Sequence, residues 1–216
     1  MSESRDVIYI GDPQCSWCWG IAEEMKKIQT FVTGHDMNFT IIVGGLRVGG
    51  GQAWDAEFKD MLRHHWQQVN QRSGQPFDYG LFDLPEFDYD TEPSCRAVVT
   101  AKNLIVNSDL TVDSLLDFFV AIQHKFYVGN QDPKQLEFYA SICSDLGLDF
   151  AEFSKLYQSE DIKGQTTAEF NITRNWGVSG YPTILYTDGK QLYMVSSGFQ
   201  KADSIIENMQ QLIGLA

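Results

Sequence analysis

Cys15-Ser16-Trp17-Cys18 sets two thiols three positions apart, just after a short apolar run, Val7-Ile8-Tyr9-Ile10, and at the start of a segment with helical spacing. A thiol at a helix N-terminus lies against unpaired main-chain amides, which favour its thiolate. A second thiol one turn later is close enough to close a disulfide with the first. Such a pair performs thiol–disulfide exchange: one sulfur attacks a substrate disulfide and the other resolves the mixed disulfide. Cys15, nearer the helix start and more exposed, is the expected nucleophile. Cys18, deeper and of higher pKa, is the expected resolving thiol. The competing readings are two packed cysteines or half of a metal site, and the strand-to-helix context favours redox chemistry over both. Ser16 and Trp17 lie between the sulfurs and tune the redox poise. Trp17 serves equally well as an apolar lip for substrate or as a cap on the surface. Asp12, ahead of Pro13, is either a turn residue or a group that tunes the dithiol.

The other residues with chemical potential are less telling. Of the four cysteines, Cys95 and Cys143 stand alone. Cys143 falls on an apolar helical stripe and reads as an inert buried thiol, and packing is also the favoured reading for Cys95 at its helix start. No second close Cys pair supports zinc, and His64, His65 and His124 lack a ligand spacing, so no metal is expected. The glycines at 44–51 lack the Lys-Ser/Thr of a phosphate loop and read as a hinge. A net charge of −13 disfavours nucleic acid and anionic membrane surfaces. With 43% hydrophobic and 13% aromatic residues, the chain can bury a sizeable core. No apolar run is long enough to span a membrane. The polar start, Met1-Ser2-Glu3-Ser4-Arg5-Asp6, lacks the features of a secretory signal, so a cytoplasmic location is expected.

The elements that must position the thiols follow from periodicity. Residues 7–10 and Asn38–Val43 read as buried strands around one helix running from Cys15 to about Val32, with Ile21, Met25, Ile28 and Val32 on its inner face. This is a strand–helix–strand unit of the parallel type. From Gly44-Gly45 to about residue 160 the pattern is helical. Trp54, Phe58, Met61, Leu62 and Val69 form one stripe. Ala97, Val98, Ala101, Leu104 and Ile105 form another, opened by Pro93. Leu115, Leu116, Phe119, Ile122 and Phe126 form a third. Asp132-Pro133-Lys134-Gln135 reads as a capping-box start for a helix through Leu136, Tyr139, Ala140, Cys143 and Leu146, ended by Gly147, and Asp149 with Glu152 repeats the signal. The stretch Phe77 to Leu84 either lines a cleft facing the cysteines or packs on the helices. A helix near 161–175 leads to two strands, Thr183–Thr187 and Gln191–Ser196, joined by Asp188-Gly189. A final helix carries Ile205, Ile206, Met209, Leu212 and Ile213 on one side.

Four blocks together resemble the DsbA superfamily, and within it the cytoplasmic FrnE-like branch: Asp12 to Gly20, Gly44-Gly45-Leu46-Arg47, Asp90 to Ala97, and Gly177-Val178-Ser179-Gly180-Tyr181-Pro182-Thr183. The resemblance implies an α/β, thioredoxin-like fold interrupted by an all-helical insertion. Residues 1–49 and 161–216 would form the thioredoxin-like domain and 50–160 the insertion. It also implies that Pro182 is a cis-proline facing the cysteines, with the Tyr181 backbone binding an extended substrate in the manner of strand addition. In strongly oxidising relatives a histidine stands where this chain has Trp17, so a less oxidising dithiol is expected. A buried acid usually stands six residues before the nucleophile, where this chain has Tyr9. Water or a neighbour such as Asp12 would then accept the Cys18 proton.

The expected activity is thiol–disulfide exchange, reduction or isomerisation on a protein or small-molecule substrate, with no bound cofactor and with glutathione admitted as a co-substrate. The rival within catalysis is a glutathione-dependent isomerase or kappa-class transferase. Against it stand the presence of Cys15 and the sequence Gly198-Phe199-Gln200-Lys201, where that group resembles a Gly-Ser-Asp turn. A rival of another class is a non-catalytic redox sensor or chaperone-like module. The oligomeric state is not readable from the sequence.

Overall fold

The computed structural model describes residues 5–108, 110 and 113–214, so the polar start read over residues 1–4 lies outside the described residues. Strands β1 (Asp6–Gly11), β2 (Asn38–Val43), β3 (Thr183–Thr187) and β4 (Leu192–Ser197) form one sheet in the order β2-β1-β3-β4. β1 and β2 pair in parallel across helices α1 (Ser16–Gly20) and α2 (Ala22–Thr33), whereas β3 is antiparallel to both β1 and β4. Between β2 and β3 run α3 (Ala56–Ser73), α4 (Glu92–Val106), α5 (Asp113–Tyr127), α6 (Ala140–Asp145), α7 (Phe150–Tyr157) and α8 (Glu160–Asn175), with short 3-10 turns at Gly80–Asp83 and Leu136–Tyr139. Helix α9 (Ala202–Ile213) closes the fold. This is the thioredoxin-like arrangement interrupted by helices.

Strand alternation puts the two faces of the sheet into different cores. Val7, Tyr9, Phe39, Ile41, Ile184 and Tyr186 join one large buried cluster that continues through Met25 and Ile28 of α2, Phe118 and Phe119 of α5 and Ile205 and Met209 of α9. Ile8, Ile10, Ile42 and Leu185 face the other way and pack with Val178. A third, aromatic cluster centres on Trp66, whose ring lies 4.7 Å from Phe82 and 5.0 Å from Tyr127.

Two polar clamps fix helices to this frame. β2 is an edge strand, and side chains take two main-chain groups at its end. Val43 N–H donates to Glu169 of α8 at 2.8 Å, and Lys102 of α4 donates to the Ile41 carbonyl at 2.6 Å and to Glu169. This end of the edge is thereby covered against strand addition. Glu24 of α2 accepts from the Ala202 N–H at the start of α9 and from Lys201, each at 3.0 Å. Burial alone would raise the Glu24 pKa, but these donors and Lys27 outweigh it and hold the carboxyl below its ordinary value.

Several expectations are corrected. The helix read from Cys15 to Val32 is two helices broken at Ile21, where Gly20 packs so closely on Val69 that an added Cβ would lie 2.8 Å from that side chain. Trp54 precedes α3 rather than belonging to it, and Trp66, absent from the expected stripe, is that helix's largest buried side chain. Pro93 sits one residue inside α4, which starts at Glu92. Asp132 does not cap a helix. It accepts from the Lys134 N–H in a tight turn, and a 3-10 segment intervenes before α6. Asp149 does cap α7, accepting from the Glu152 N–H at 2.8 Å. Leu212 is exposed rather than on the buried side of α9. Phe77 and Phe82 belong to the aromatic cluster around Trp66, so that stretch packs on the helices.

Candidate active site

β1 delivers the chain at Gly11 into the turn Asp12-Pro13-Gln14, and Cys15 N–H closes the turn on the Asp12 carbonyl at 3.0 Å. The Asp12 carboxylate holds this turn in place. Oδ1 accepts from Gln14 N–H at 2.8 Å, and Oδ2 accepts from Leu46 N–H at 2.6 Å and from the Cys95 thiol at 3.4 Å. Asp12 is fully buried. Burial raises its pKa, and the bonds from Leu46, Thr91, Gln14 and Cys95 offset only part of the rise. Gln14 is fixed from the other side: Tyr89 donates to its carbonyl at 2.9 Å and Ser94 to its side chain at 3.0 Å. The block from Asp90 to Ala97 thus lies under the motif turn. Cys95 is a neutral partner of Asp12, its own pKa pushed well up by burial and by that carboxylate.

Cys15 occupies the N-cap of α1, and Cys18 lies within that helix, fully buried. The Cys15 thiol donates to the Tyr181 carbonyl at 3.6 Å. Burial pushes the Cys18 pKa well up and the adjacent Cys15 adds to the rise, while the Asp12 main-chain amide and the Tyr9 hydroxyl oppose it. The Asp12 carboxylate, offered by the sequence as a proton acceptor for Cys18, is bonded instead to Leu46, Gln14 and Cys95. At the acid's usual position stands Tyr9, buried in the same cluster as Cys18, its phenol pKa pushed well up by burial and by Cys18. Cys143 is buried as expected, its pKa pushed up by burial to about 12.

The opposing wall is the loop before β3, where the Tyr181–Pro182 peptide is cis. Tyr181 ties this loop to the end of β2 by donating to the Gly44 carbonyl at 2.7 Å. Its ring lies where a side chain at residue 44 would stand: an added Cβ would be 2.2 Å from it. The glycines read as a hinge therefore include one that admits the Tyr181 ring.

Beside the sulfurs opens a cavity of about 310 Å³ lined by Trp17, Arg72, Tyr181, Ser197, Gly198 and Phe199. A second hollow shares Trp17 and Arg72 and adds Gln68 and Gln71. The Trp17 and Phe199 rings are 6.1 Å apart, and the Arg72 guanidinium stands 5.8 Å from the Phe199 ring. Among the described residues Arg72 forms no ion pair, although the chain carries 29 acidic and 16 basic side chains. Cys15, Cys18, Trp17, Tyr181 and Pro182, singled out by the sequence, lie together in this region. Arg72 and Phe199, which come from distant elements, also line the cavity, and no local signal pointed to them. Ser16 is half-buried next to Cys15. No group of three or more His, Cys, Asp or Glu among the described residues is arranged to hold a metal ion.

No protein-family model matches the chain, and no curated protein sequence matches it significantly. Solved structures do. A Nitrosomonas europaea protein provisionally assigned as a protein disulfide isomerase is 32% identical over 99% of both chains, with a TM-score of 0.83. The cytosolic disulfide reductase DsbM of Pseudomonas aeruginosa is 22% identical over 98% of this chain and 100% of its own, with a TM-score of 0.72, and it has also been solved with GSH. DsbA of Chlamydia trachomatis shares the fold at 13% identity, over 98% of this chain and 87% of its own, with a TM-score of 0.63.

Proposed function

The chain belongs to the DsbA-like family of thioredoxin-fold oxidoreductases, and from that premise we propose that it exchanges thiols and disulfides through Cys15 and Cys18. The observation that carries the proposal is the Cys15 thiol at a helix N-cap, 3.6 Å from the Tyr181 carbonyl across a cis-proline loop. In the forward direction Cys15 attacks a substrate disulfide RS–SR′. A Cys15–SR bond forms and R′S⁻ departs. Cys18 then attacks Cys15, closing the internal disulfide and releasing RSH. Two electrons pass from the dithiol to the substrate, so a low-molecular-weight thiol must restore the reduced pair. The Tyr181 backbone aligns an extended substrate chain, and Trp17 with Phe199 supplies an apolar wall beside the reacting sulfur.

The groove suits a small anionic thiol as well as a peptide. Arg72, unpaired by any carboxylate of the described chain, stands where a substrate carboxylate would lie. The GSH-bound structure of DsbM supports glutathione as the co-substrate, and the cytosolic setting of DsbM supports the same location for this chain. With tryptophan rather than histidine before Cys18, the pair works as a reductant or isomerase of intermediate poise. Steady-state reduction of glutathione disulfide and of a model protein disulfide tests the proposal. Cys15→Ser is expected to lose turnover and Cys18→Ala to stall as a mixed disulfide. Full turnover by Cys15→Ser overturns it.

A further inference from the structure

Resolution by Cys18 poses a chemical problem. The thiol is fully buried and burial pushes its pKa well up, yet it must lose its proton as it attacks. The nearby Asp12 carboxylate is engaged by Leu46, Gln14 and Cys95. Helix α5 offers a neutral alternative. Phe119, Gln123 and Tyr127 are spaced by four and so share one stripe of the helix. The Phe119 ring meets Tyr9 edge-on at 5.6 Å, and the Tyr127 ring lies parallel to that of Trp19 at 6.3 Å. Gln123 lies on the same stripe between these two contacts, one to Tyr9 and one to Trp19, the residue next to Cys18. Its side chain is fully buried, and neither Oε1 nor Nε2 has a hydrogen-bond partner among the described residues. A buried amide with both ends unpaired is costly, and in native folds such groups hold water or serve chemistry.

From the opposite side comes Tyr9 of β1. Its ring folds back over Gly11, where an added Cβ would lie 2.8 Å from the phenol oxygen, and Tyr9 and Cys18 share one buried cluster in which each raises or eases the other's ionisation. We infer that Gln123 holds a buried water against Cys18 and, with the Tyr9 phenol, forms a neutral relay that carries the Cys18 proton away during resolution. A water so placed has the several polar partners that a buried site requires. The inference rests on the exchange function proposed above.

The step balances without an added reactant. Cys18 Sγ attacks Cys15 Sγ of the mixed disulfide Cys15–SR. The Cys15–Cys18 bond forms, the Cys15 Sγ–SR bond breaks, and its electron pair leaves on RS⁻. The Cys18 proton passes through the water to RS⁻, giving RSH, or on to bulk solvent where the departing thiol is acidic enough to stay ionised. The titratable groups around Cys18 are Tyr9 from β1, Asp12 and Cys15 from the motif turn, and Tyr181 from the cis-proline loop. On the α5 side they are Tyr127 and His124, both against Trp19.

Stopped-flow reaction of the reduced protein with an aromatic disulfide that releases a coloured thiolate separates the two steps. The first release reports attack by Cys15 and the second reports resolution by Cys18. Gln123→Leu and the near-isosteric Gln123→Met are expected to keep the first phase. They are expected to slow the second about tenfold or more, the scale of one positioned proton-transfer group, and to move its pH profile upward. Gln123→Glu, which supplies an acceptor, is expected to restore the second phase and move its profile downward. Thermal melts of the variants separate packing effects from this pattern, because a packing effect does not restore rate and reverse the pH shift in the glutamate variant. A second phase unchanged in rate and pH profile in all three variants overturns the relay and leaves the exchange function standing. A wild-type protein with no first phase overturns the exchange function itself, and the relay with it.

Discussion

Replacing Gly44 by alanine tests how the cis-proline wall is attached to the sheet. The added methyl would stand 2.2 Å from the Tyr181 ring, a distance that no real contact shows, and the backbone φ of Gly44 is not in the left-handed region. The effect is therefore steric and not conformational. Overpacking of this kind costs roughly 1–3 kcal/mol. Displacing the ring also breaks its 2.7 Å hydrogen bond to the Gly44 carbonyl, worth about 0.5–1.5 kcal/mol. Against these, alanine loses less chain entropy on folding than glycine, a gain of about 0.4–1 kcal/mol. The net expectation is a destabilisation of about 0.5–4 kcal/mol, with Tm falling about 2–4 °C for each kcal/mol in a chain of this size. The rate of attack by Cys15 should fall as well, because the Tyr181 backbone proposed to align the substrate moves with the ring. Urea melts of Gly44→Ala, Tyr181→Ala and the double variant form the assay. Without the ring the methyl has nothing to strike, so the double variant should be no less stable than Tyr181→Ala alone. Strictly additive losses, or a Gly44→Ala protein as stable and as reactive as wild type, would refute the steric reasoning.

Four further outcomes are expected. Arg72→Gln should raise KM for glutathione disulfide by about tenfold, the worth of one charge-assisted hydrogen bond, while leaving kcat and the KM for a neutral disulfide unchanged; steady-state kinetics on the two substrates read this out. Trp17→His should make the dithiol more oxidising by tens of millivolts, where ~30 mV corresponds to 1.4 kcal/mol, as measured by equilibration against a glutathione buffer. Glu24→Gln should cost about 1–2 kcal/mol at neutral pH by weakening the clamp on α9. Because the folded Glu24 pKa is lowered, its contribution is present above the ordinary carboxylate value of 4.5 and is lost as pH falls through the folded value. Denaturant melts at pH 7 and pH 3 should thus show the gap between wild type and variant closing in acid. Lys102→Met should uncover the Ile41 carbonyl and leave Glu169 without its cation, promoting self-association through the β2 edge, which light scattering detects.

Much of the frame was readable in the residues because its signals are local. β2 occupies the expected span, Asn38–Val43, since a continuous apolar run between polar turns has few other uses. Asp188-Gly189 joins β3 to β4 as its turn chemistry requires, and Asp149 caps α7. The motif itself announced Cys15 and Cys18. The contacts that make a site of them are non-local and left no local trace. Asp12 meets Cys95 across 83 residues, and Tyr181 meets Gly44 across 137. The break at Ile21 arises from the packing of Gly20 on Val69, a tertiary cause that helical periodicity does not register. Arg72 ends a helix whose sequence gives no reason to place it beside the sulfurs. Gln123 did leave a trace: a glutamine one turn on from Phe119, within the apolar stripe of α5, is out of character with its neighbours. Tyr9 was noticed only as a missing acid, and it lies buried in the same cluster as Cys18.

The central claim is that Cys15 is the attacking sulfur and Cys18 the resolving one. Peptide mass mapping of Cys18→Ala after brief exposure to glutathione disulfide tests it most directly. The account predicts a single glutathionyl adduct on Cys15, stable because the resolving thiol is gone, with Cys95 and Cys143 unmodified. An adduct on Cys95 or Cys143 in place of Cys15, or no adduct at all, would contradict it.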